Sequence, residues 1–203
     1  MEFTKSTRLK DILNLPCFRQ MNGQFIASGT GDWFQGKEGL SLAELQQQNP
    51  TWYWEDVAYG LTRLREIALG GGRYVYPVGE GACLIHLPAK NRRYKDYAIL
   101  NAGGAYGAVC TMVEALPTAA KLNELGMDCF CLNYHTATRD SFVDGLMPKP
   151  LEDLALAWRY IKSNEAAFQL KAEDYIVGGF SAGGHLAAMW ACGSRRKQWK
   201  GEN

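Results

Sequence analysis

Residues 174–190 read DYIVGGFSAGGHLAAMW, and the reading of this stretch decides the fold. Tyr175, Ile176 and Val177 form a short apolar, β-branched-rich run that suits a buried strand, while Leu186, Ala187, Ala188 and Met189 open a helical run. Between them stands G-x-S-x-G: Gly179, Phe180, Ser181, Ala182 and Gly183. A serine on a sharp strand-to-helix turn needs neighbours without bulky side chains, because the backbone must fold back on itself. Such a turn pushes the Ser181 hydroxyl out at the top of the sheet. It also aims helix N-terminal amides, that of Ala182 foremost, at the point where negative charge gathers during attack on a carbonyl. The same residues also read as a glycine-rich turn with an ordinary capping serine; the strand before and the helix after favour a nucleophile elbow.

Upstream, an apolar run at 97–101 leads straight into Ala102, Gly103, Gly104, Ala105, Tyr106 and Gly107. Glycines just past the carboxyl end of a strand let backbone amides approach a ligand, and in an acyl-transfer site further oxyanion donors come from such a loop. A nucleotide-binding reading is disfavoured, because the loop lacks G-x-G-x-x-G and the Lys with Ser or Thr of a phosphate loop. Between the two motifs the pattern predicts a helix over 109–125 despite Pro117, a strand over 127–134, and a helix from Pro150 to about 168. That last helix carries Leu151, Leu154, Ala155, Trp158 and Ile161 on one face. Strands at 74–78 and 83–87, joined through Gly79, Glu80 and Gly81, read as a hairpin. Strands alternating with helices after an initial hairpin imply an α/β fold, a doubly wound, mostly parallel sheet with helices on both faces.

Residues 1–72 have a different texture, helical patterns interrupted by Gly29, Gly31, Gly36 and Gly39. Ser41 with Glu44 reads as a capping box, and a longer helix over 52–69 stops at Gly70, Gly71 and Gly72. The expected organisation is a helical amino-terminal extension or cap over 1–72 and an α/β core over 73–203. Trp52, Tyr53 and Trp54 line a pocket or, the favoured reading, pack the extension onto the core.

The 203 residues are enough for one domain with a sizeable core. With 22 basic and 21 acidic residues, the net charge of +1 gives no sequence-wide pull toward nucleic acid or an anionic membrane. The first residues lack the apolar core of a signal peptide and no stretch approaches the length of a membrane span, which points to a cytoplasmic protein. The six cysteines form no C-x-x-C pair and read as buried free thiols. Cys129 and Cys131 share a face of a predicted strand without a further ligand cluster, so no metal or organic cofactor is implied.

Four blocks in order, ILNAGGAYGAV, EALPTAAKLNELGMDCFCLNYH, PKPLEDLALAWRYI and GGFSAGGHLAA, resemble α/β-hydrolase esterases of the bacterial acetyl-esterase and hormone-sensitive-lipase-like type. The resemblance spans about residues 73–193. It implies a serine ester hydrolase acting on small acyl esters, commonly acetyl esters of sugars or simple alcohols, with Ser181 as nucleophile and Gly103, Gly104 and Ala182 supplying oxyanion amides. Two positions depart from the family pattern. Ala105 stands where a third glycine is usual, which shifts the donor assignment by up to one residue, and His135 stands where an Arg often follows the strand tyrosine.

In this fold the acid and histidine partners follow the serine in the chain, yet only 22 residues follow Ser181 and none is a histidine outside the elbow helix. His86 sits in a predicted strand, His135 at a strand end and His185 on the elbow helix, and none is favoured as the base. The expectation is the amino-terminal part of a longer hydrolase, lacking the carboxyl-terminal strands, whose unpaired sheet edge offers a surface for self-association. The alternatives are a binding module that keeps the scaffold without a triad, and an acyltransferase or peptidase on the same fold.

Overall fold

Residues 2–22, 24–28, 36–138, 145–172 and 174–194 are described by a computed structural model. In chain order the elements are α1 (Leu9–Leu13), a 3₁₀ helix (Pro16–Met21), β1 (Ala27–Ser28), α2 (Leu42–Gln48), α3 (Trp54–Leu69), β2 (Val75–Pro77), β3 (Cys83–Leu87) and β4 (Tyr97–Asn101). They continue with β5 (Ala108–Val109), α4 (Ala115–Leu125), β6 (Asp128–Asn133), α5 (Lys149–Ser163), β7 (Tyr175–Gly179) and α6 (Ala182–Ser194).

Five strands pair in the order β2-β3-β6-β4-β7. The β2-β3 hairpin and the β3-β6 pair are antiparallel, whereas β6, β4 and β7 run parallel, with Asn101 opposite both Leu132 and Gly179. This is the mixed, mostly parallel sheet of an α/β hydrolase, with helices packed against it. β3, β4 and β6 are buried at every position, as strands covered on both faces must be. The strand expected to be buried at 175–177 is instead the edge strand β7, paired only with β4 among the described residues; with one side unpaired, none of its residues is fully buried and Ile176 is half exposed.

The strands expected at 83–87 and 97–101 have those bounds. The helix expected from 109 begins only at Ala115, because Ala108 and Val109 instead pair with Ala27 and Ser28 as a two-stranded ribbon. The helix expected through 168 ends at Ser163. The capping box is present: Ser41 Oγ accepts from the Glu44 amide at 3.3 Å, and Glu44 Oε2 accepts from the Ser41 amide at 2.8 Å. Of the amino-terminal glycines, Gly29 and Gly31 lie outside the described residues.

The amino-terminal region shares the main hydrophobic core, since Phe3, Leu9, Phe18, Phe25, Leu61 and Leu64 belong to the same buried cluster as β3, β4 and β6. The Met112 amide donates to the Phe25 carbonyl at 2.9 Å, and Asn133 Nδ2 donates to the Gln24 carbonyl at 2.7 Å. Gly60 of α3 meets α4 so closely that a Cβ there would lie 2.9 Å from the Pro117 nitrogen.

Candidate active site

The carboxyl ends of β4 and β7 meet side by side, and Asn101 holds them together. Its side-chain Nδ2 donates to the Gly178 carbonyl at 2.9 Å, and its backbone carbonyl accepts from the Phe180 amide at 3.0 Å. The chain then reverses through Ser181, whose φ of 47° is left-handed. That conformation costs a non-glycine residue roughly 1–2 kcal/mol, and such strain persists where the surroundings over-determine it. The spacing of G-x-S-x-G has a steric cause here. A Cβ at Gly179 would overlap the Gly183 carbonyl, and one at Gly183 would overlap the Asn101 carbonyl. The Gly183 amide closes the turn on the Phe180 carbonyl at 2.7 Å, and the His185 amide bonds the Ser181 carbonyl at 2.9 Å to begin α6. Ala182 is therefore the first residue of the helix, where no carbonyl one turn back is available to its N–H.

Ser181 is exposed, and among the described residues its hydroxyl has no hydrogen-bond partner. Beside it lies the glycine loop. A Cβ at Gly103 would sit 2.8 Å from the Phe180 carbonyl oxygen, 3.0 Å from Ser181 Cβ and 3.1 Å from Glu114 Oε2, so loop, elbow and carboxylate converge at this one residue. The loop itself is strained, with φ of 130° at Gly104, 52° at Ala105 and 61° at Tyr106. Hydrogen bonds hold it. Gly103 N–H donates to Glu114 Oε2 at 2.6 Å, and the Tyr134 hydroxyl donates to the Ala102 carbonyl at 2.6 Å. Tyr106 Oη and His185 Nδ1 share a hydrogen bond of 2.9 Å, and the Ala137 amide donates to the Tyr106 carbonyl at 2.6 Å. Burial raises the Tyr134 and Tyr106 phenols, so both keep their protons for these bonds.

The sequence-derived residues Ser181, Gly103, Gly104 and Ala182 thus meet at one end of the sheet. Their amides are not equivalent: Gly103 N–H is occupied by Glu114, whereas Gly104 N–H has no acceptor among the described residues. The three histidines face other partners. His86 Nε2 lies 3.2 Å from Asp128 Oδ2 at the opposite, amino end of the parallel strands. His135 Nδ1 lies 2.8 Å from Asp153 Oδ2 with its ring over Gly81, and His185 pairs with Tyr106. The Arg-to-His departure at 135 is therefore a contact with α5. Trp52 is buried and its Nε1 donates to Glu114 Oε1 at 3.4 Å, while Tyr53 is 56% exposed; packing, the favoured reading of this cluster, describes Trp52.

Sequence reasoning missed Glu114, Tyr106 and Tyr134. The signal for Glu114 was available, as it is the single charge in the otherwise apolar or neutral run AVCTMVEALPTAA at 108–120. Of the six cysteines expected as buried free thiols, Cys83, Cys110, Cys129 and Cys131 are buried, whereas Cys17 is half-buried and Cys192 is exposed; burial pushes Cys83 up to about 11 and Cys110 up to about 12, which leaves these two unreactive at neutral pH. Among the described residues no cluster of three or more metal-ligating side chains occurs, and no helix is long and apolar enough to cross a membrane.

A serine elbow at the carboxyl edge of a mostly parallel sheet, facing a glycine loop from the neighbouring strand, defines an α/β hydrolase. Residues 84–203 match the BD-FAE family model, and the chain belongs to that family of α/β-hydrolase esterases. Over 100 residues it is 32% identical to endo-1,4-beta-xylanase B of Butyrivibrio fibrisolvens, covering 49% of this chain and 14% of that protein. Among solved structures, MGS-M1, an α/β hydrolase enzyme from a Medee basin deep-sea metagenome library, is 25% identical. It superposes with a TM-score of 0.50 over 58% of this chain and 49% of that one. The acetyl ester-xyloside bifunctional hydrolase of Caldicellulosiruptor lactoaceticus is also 25% identical, with a TM-score of 0.46 over 57% and 45% of the two chains. The chain thus spans about half the length of these solved hydrolases and a small part of the xylanase.

Proposed function

We propose that this chain carries the nucleophile half of a serine carboxylic-ester hydrolase. The observation that carries the reading is Ser181 in a left-handed turn at the start of α6, exposed, with Gly103 packed against its Cβ. In the proposed reaction Ser181 Oγ bonds to the ester carbonyl carbon and its proton passes to a base. The carbonyl oxygen takes up negative charge against the Gly104 and Ala182 N–H groups, and the alcohol departs with the proton; water then releases the carboxylate by the same steps in reverse. Two preorganised amides, one at the start of α6 and one in the glycine loop, supply charge stabilisation at no reorganisation cost. Of the three sequence-derived donors, Gly103 serves here through its contact with Ser181 rather than through its own N–H.

No histidine side chain is hydrogen-bonded to the Ser181 hydroxyl among the described residues, so the base in this proposal comes from outside the described contacts, from further chain or from a second subunit. The open side of β7 provides a pairing edge for either. Residues 1–72 act in this reading as an extension that braces the core over 73–203. Small acyl esters are the proposed substrates. The xylanase relative, by its name a polysaccharide-degrading enzyme, favours acyl groups carried on sugars.

The test is reaction of the folded chain with a fluorophosphonate probe, with the modified residue read by mass spectrometry. With the base lent by a second subunit, labelling at Ser181, abolished in Ser181→Ala, is the expected outcome; a folded chain that neither reacts nor binds ligand would leave the esterase activity to a longer chain that carries the base. A folded chain that binds a small ligand near Ser181 yet resists the probe would instead favour the binding-module reading.

A further inference from the structure

The carboxylate of Glu114 stands beside a site that, on the esterase reading, must stabilise negative charge. A carboxylate there opposes the developing oxyanion electrostatically, so its presence calls for a geometric reason. Three observations supply one. Its Oε2 accepts the Gly103 N–H at 2.6 Å, the length of a strong charge-assisted bond. Its Oε1 accepts from Trp52 Nε1 at 3.4 Å, so the same group ties the loop to the amino-terminal region. It sits half-buried at the entry to α4 within an apolar run, where a charge without hydrogen bonds would be costly.

We propose that Glu114 is a positioning residue: by capturing the Gly103 N–H it fixes the strained loop 102–107 against Ser181 and leaves the Gly104 N–H as the loop's donor to the substrate oxygen. The inference rests on the esterase reading of Ser181. Three consecutive residues of the loop have positive φ, and such a segment holds one shape only if anchored. The Tyr134 bond fixes the carbonyl of Ala102, and the Tyr106 bonds to His185 and Ala137 fix the far end of the loop. The Cys110 amide holds the Gly103 carbonyl at 2.9 Å, and Glu114 is the anchor on the N–H of Gly103, the residue packed against both the elbow carbonyl and Ser181 Cβ.

Because the role is geometric, the acceptor matters and the charge does not. Glu114→Gln, which keeps an oxygen in place, is expected to label with fluorophosphonate at or above the wild-type rate. Glu114→Ala is expected to label at least tenfold more slowly while remaining folded by circular dichroism. Hydrogen–deuterium exchange at the Gly103 amide is expected to rise in the alanine variant and stay near wild type in the glutamine variant. Wild-type labelling by Glu114→Ala overturns the assignment, and so does labelling by Glu114→Gln as slow as that of the alanine variant. If Glu114→Ala does not fold, the glutamine variant decides alone, since labelling well below wild type in a folded Glu114→Gln protein overturns the proposal. If the wild-type chain is not labelled at all, the reading that this chain acts as an esterase without further chain is what fails. Gly103 exchange then judges the anchor, a rise in Glu114→Ala sustaining it and no change overturning it.

Discussion

The amino and carboxyl edges of the sheet, the two ends of its parallel strands, hold their polar groups in opposite conditions. At the start of β6, Asp128 has no exposed surface and both its oxygens are saturated. Oδ1 accepts from the Ala89 amide and Arg92 Nε, each at 3.0 Å, and Oδ2 accepts from Arg92 at 2.7 Å and faces His86 at 3.2 Å. Arg92 continues to the carbonyls of Phe168 and Gln169, and the His86 ring stacks on Phe130 at 4.4 Å. At the other edge Ser181 is exposed without a hydroxyl partner, Gly104 keeps an unused amide, and Ser181, Ala105 and Tyr106 are in left-handed backbone. One edge spends its polar groups on each other and so stabilises the fold. The other holds polar groups in reserve under strain, which is what a reacting ligand requires.

The largest effect expected from breaking this contrast is at the saturated edge. Asp128→Ala leaves Arg92 and His86 without their shared partner and is expected to cost about 3–5 kcal/mol of stability, read from urea unfolding. The same cluster sets an acid limit. Burial pushes the Asp128 carboxyl up, but hydrogen bonds from His86, Arg92 and Ala89 outweigh it and hold it below its ordinary value. Its contribution is therefore full above the ordinary carboxylate range and lost as pH falls through the lowered folded value. Burial pushes the His86 imidazole below its ordinary value against the pull of Asp128, so protonation favours the unfolded chain. Both slopes have one sign, and the melting temperature is expected to fall as pH drops below about 6.5. A melting temperature that rises on acidification would contradict this account of the pair.

At the strained edge, Gly183→Ala drives a methyl into the Asn101 carbonyl and is expected to cost about 1–3 kcal/mol together with fluorophosphonate labelling, because the elbow must open to admit it. Retained labelling would show that the turn yields without losing its aim. The smallest effect belongs to the loop. Ala105→Gly relieves a left-handed residue at the cost of extra chain freedom in the unfolded state, for a net change of about 1 kcal/mol or less. Its value lies in the pairing of readouts: stability unchanged or raised, with slower labelling, would show that the strain serves positioning.

Much of the framework was legible in the residues. Local periodicity found β3 and β4 to the residue, the capping box at Ser41, the hairpin and the elbow, because each is specified within a few neighbours by side-chain pattern or by the absence of a side chain. The late start of α4 was not legible. Residues 108–109 have helical company in sequence, and their pairing with residues 27–28 depends on a partner some eighty positions away.

The sequence by itself determined that a serine would stand between a strand and a helix with glycines on either side, and that a glycine loop would follow the preceding parallel strand; it read the strand as buried, whereas β7 is an edge strand. Tertiary structure alone decided how these meet. It placed Gly103 against Ser181, put a carboxylate from the entry to α4 on the Gly103 amide, and drew Trp52 of the amino-terminal region onto that carboxylate. It also sent each histidine side chain to a partner other than the serine. The physical reason is that turns and caps are settled by local sterics and hydrogen bonds, whereas the partner of a polar group is chosen by which elements the packed sheet and helices bring within three ångströms of it.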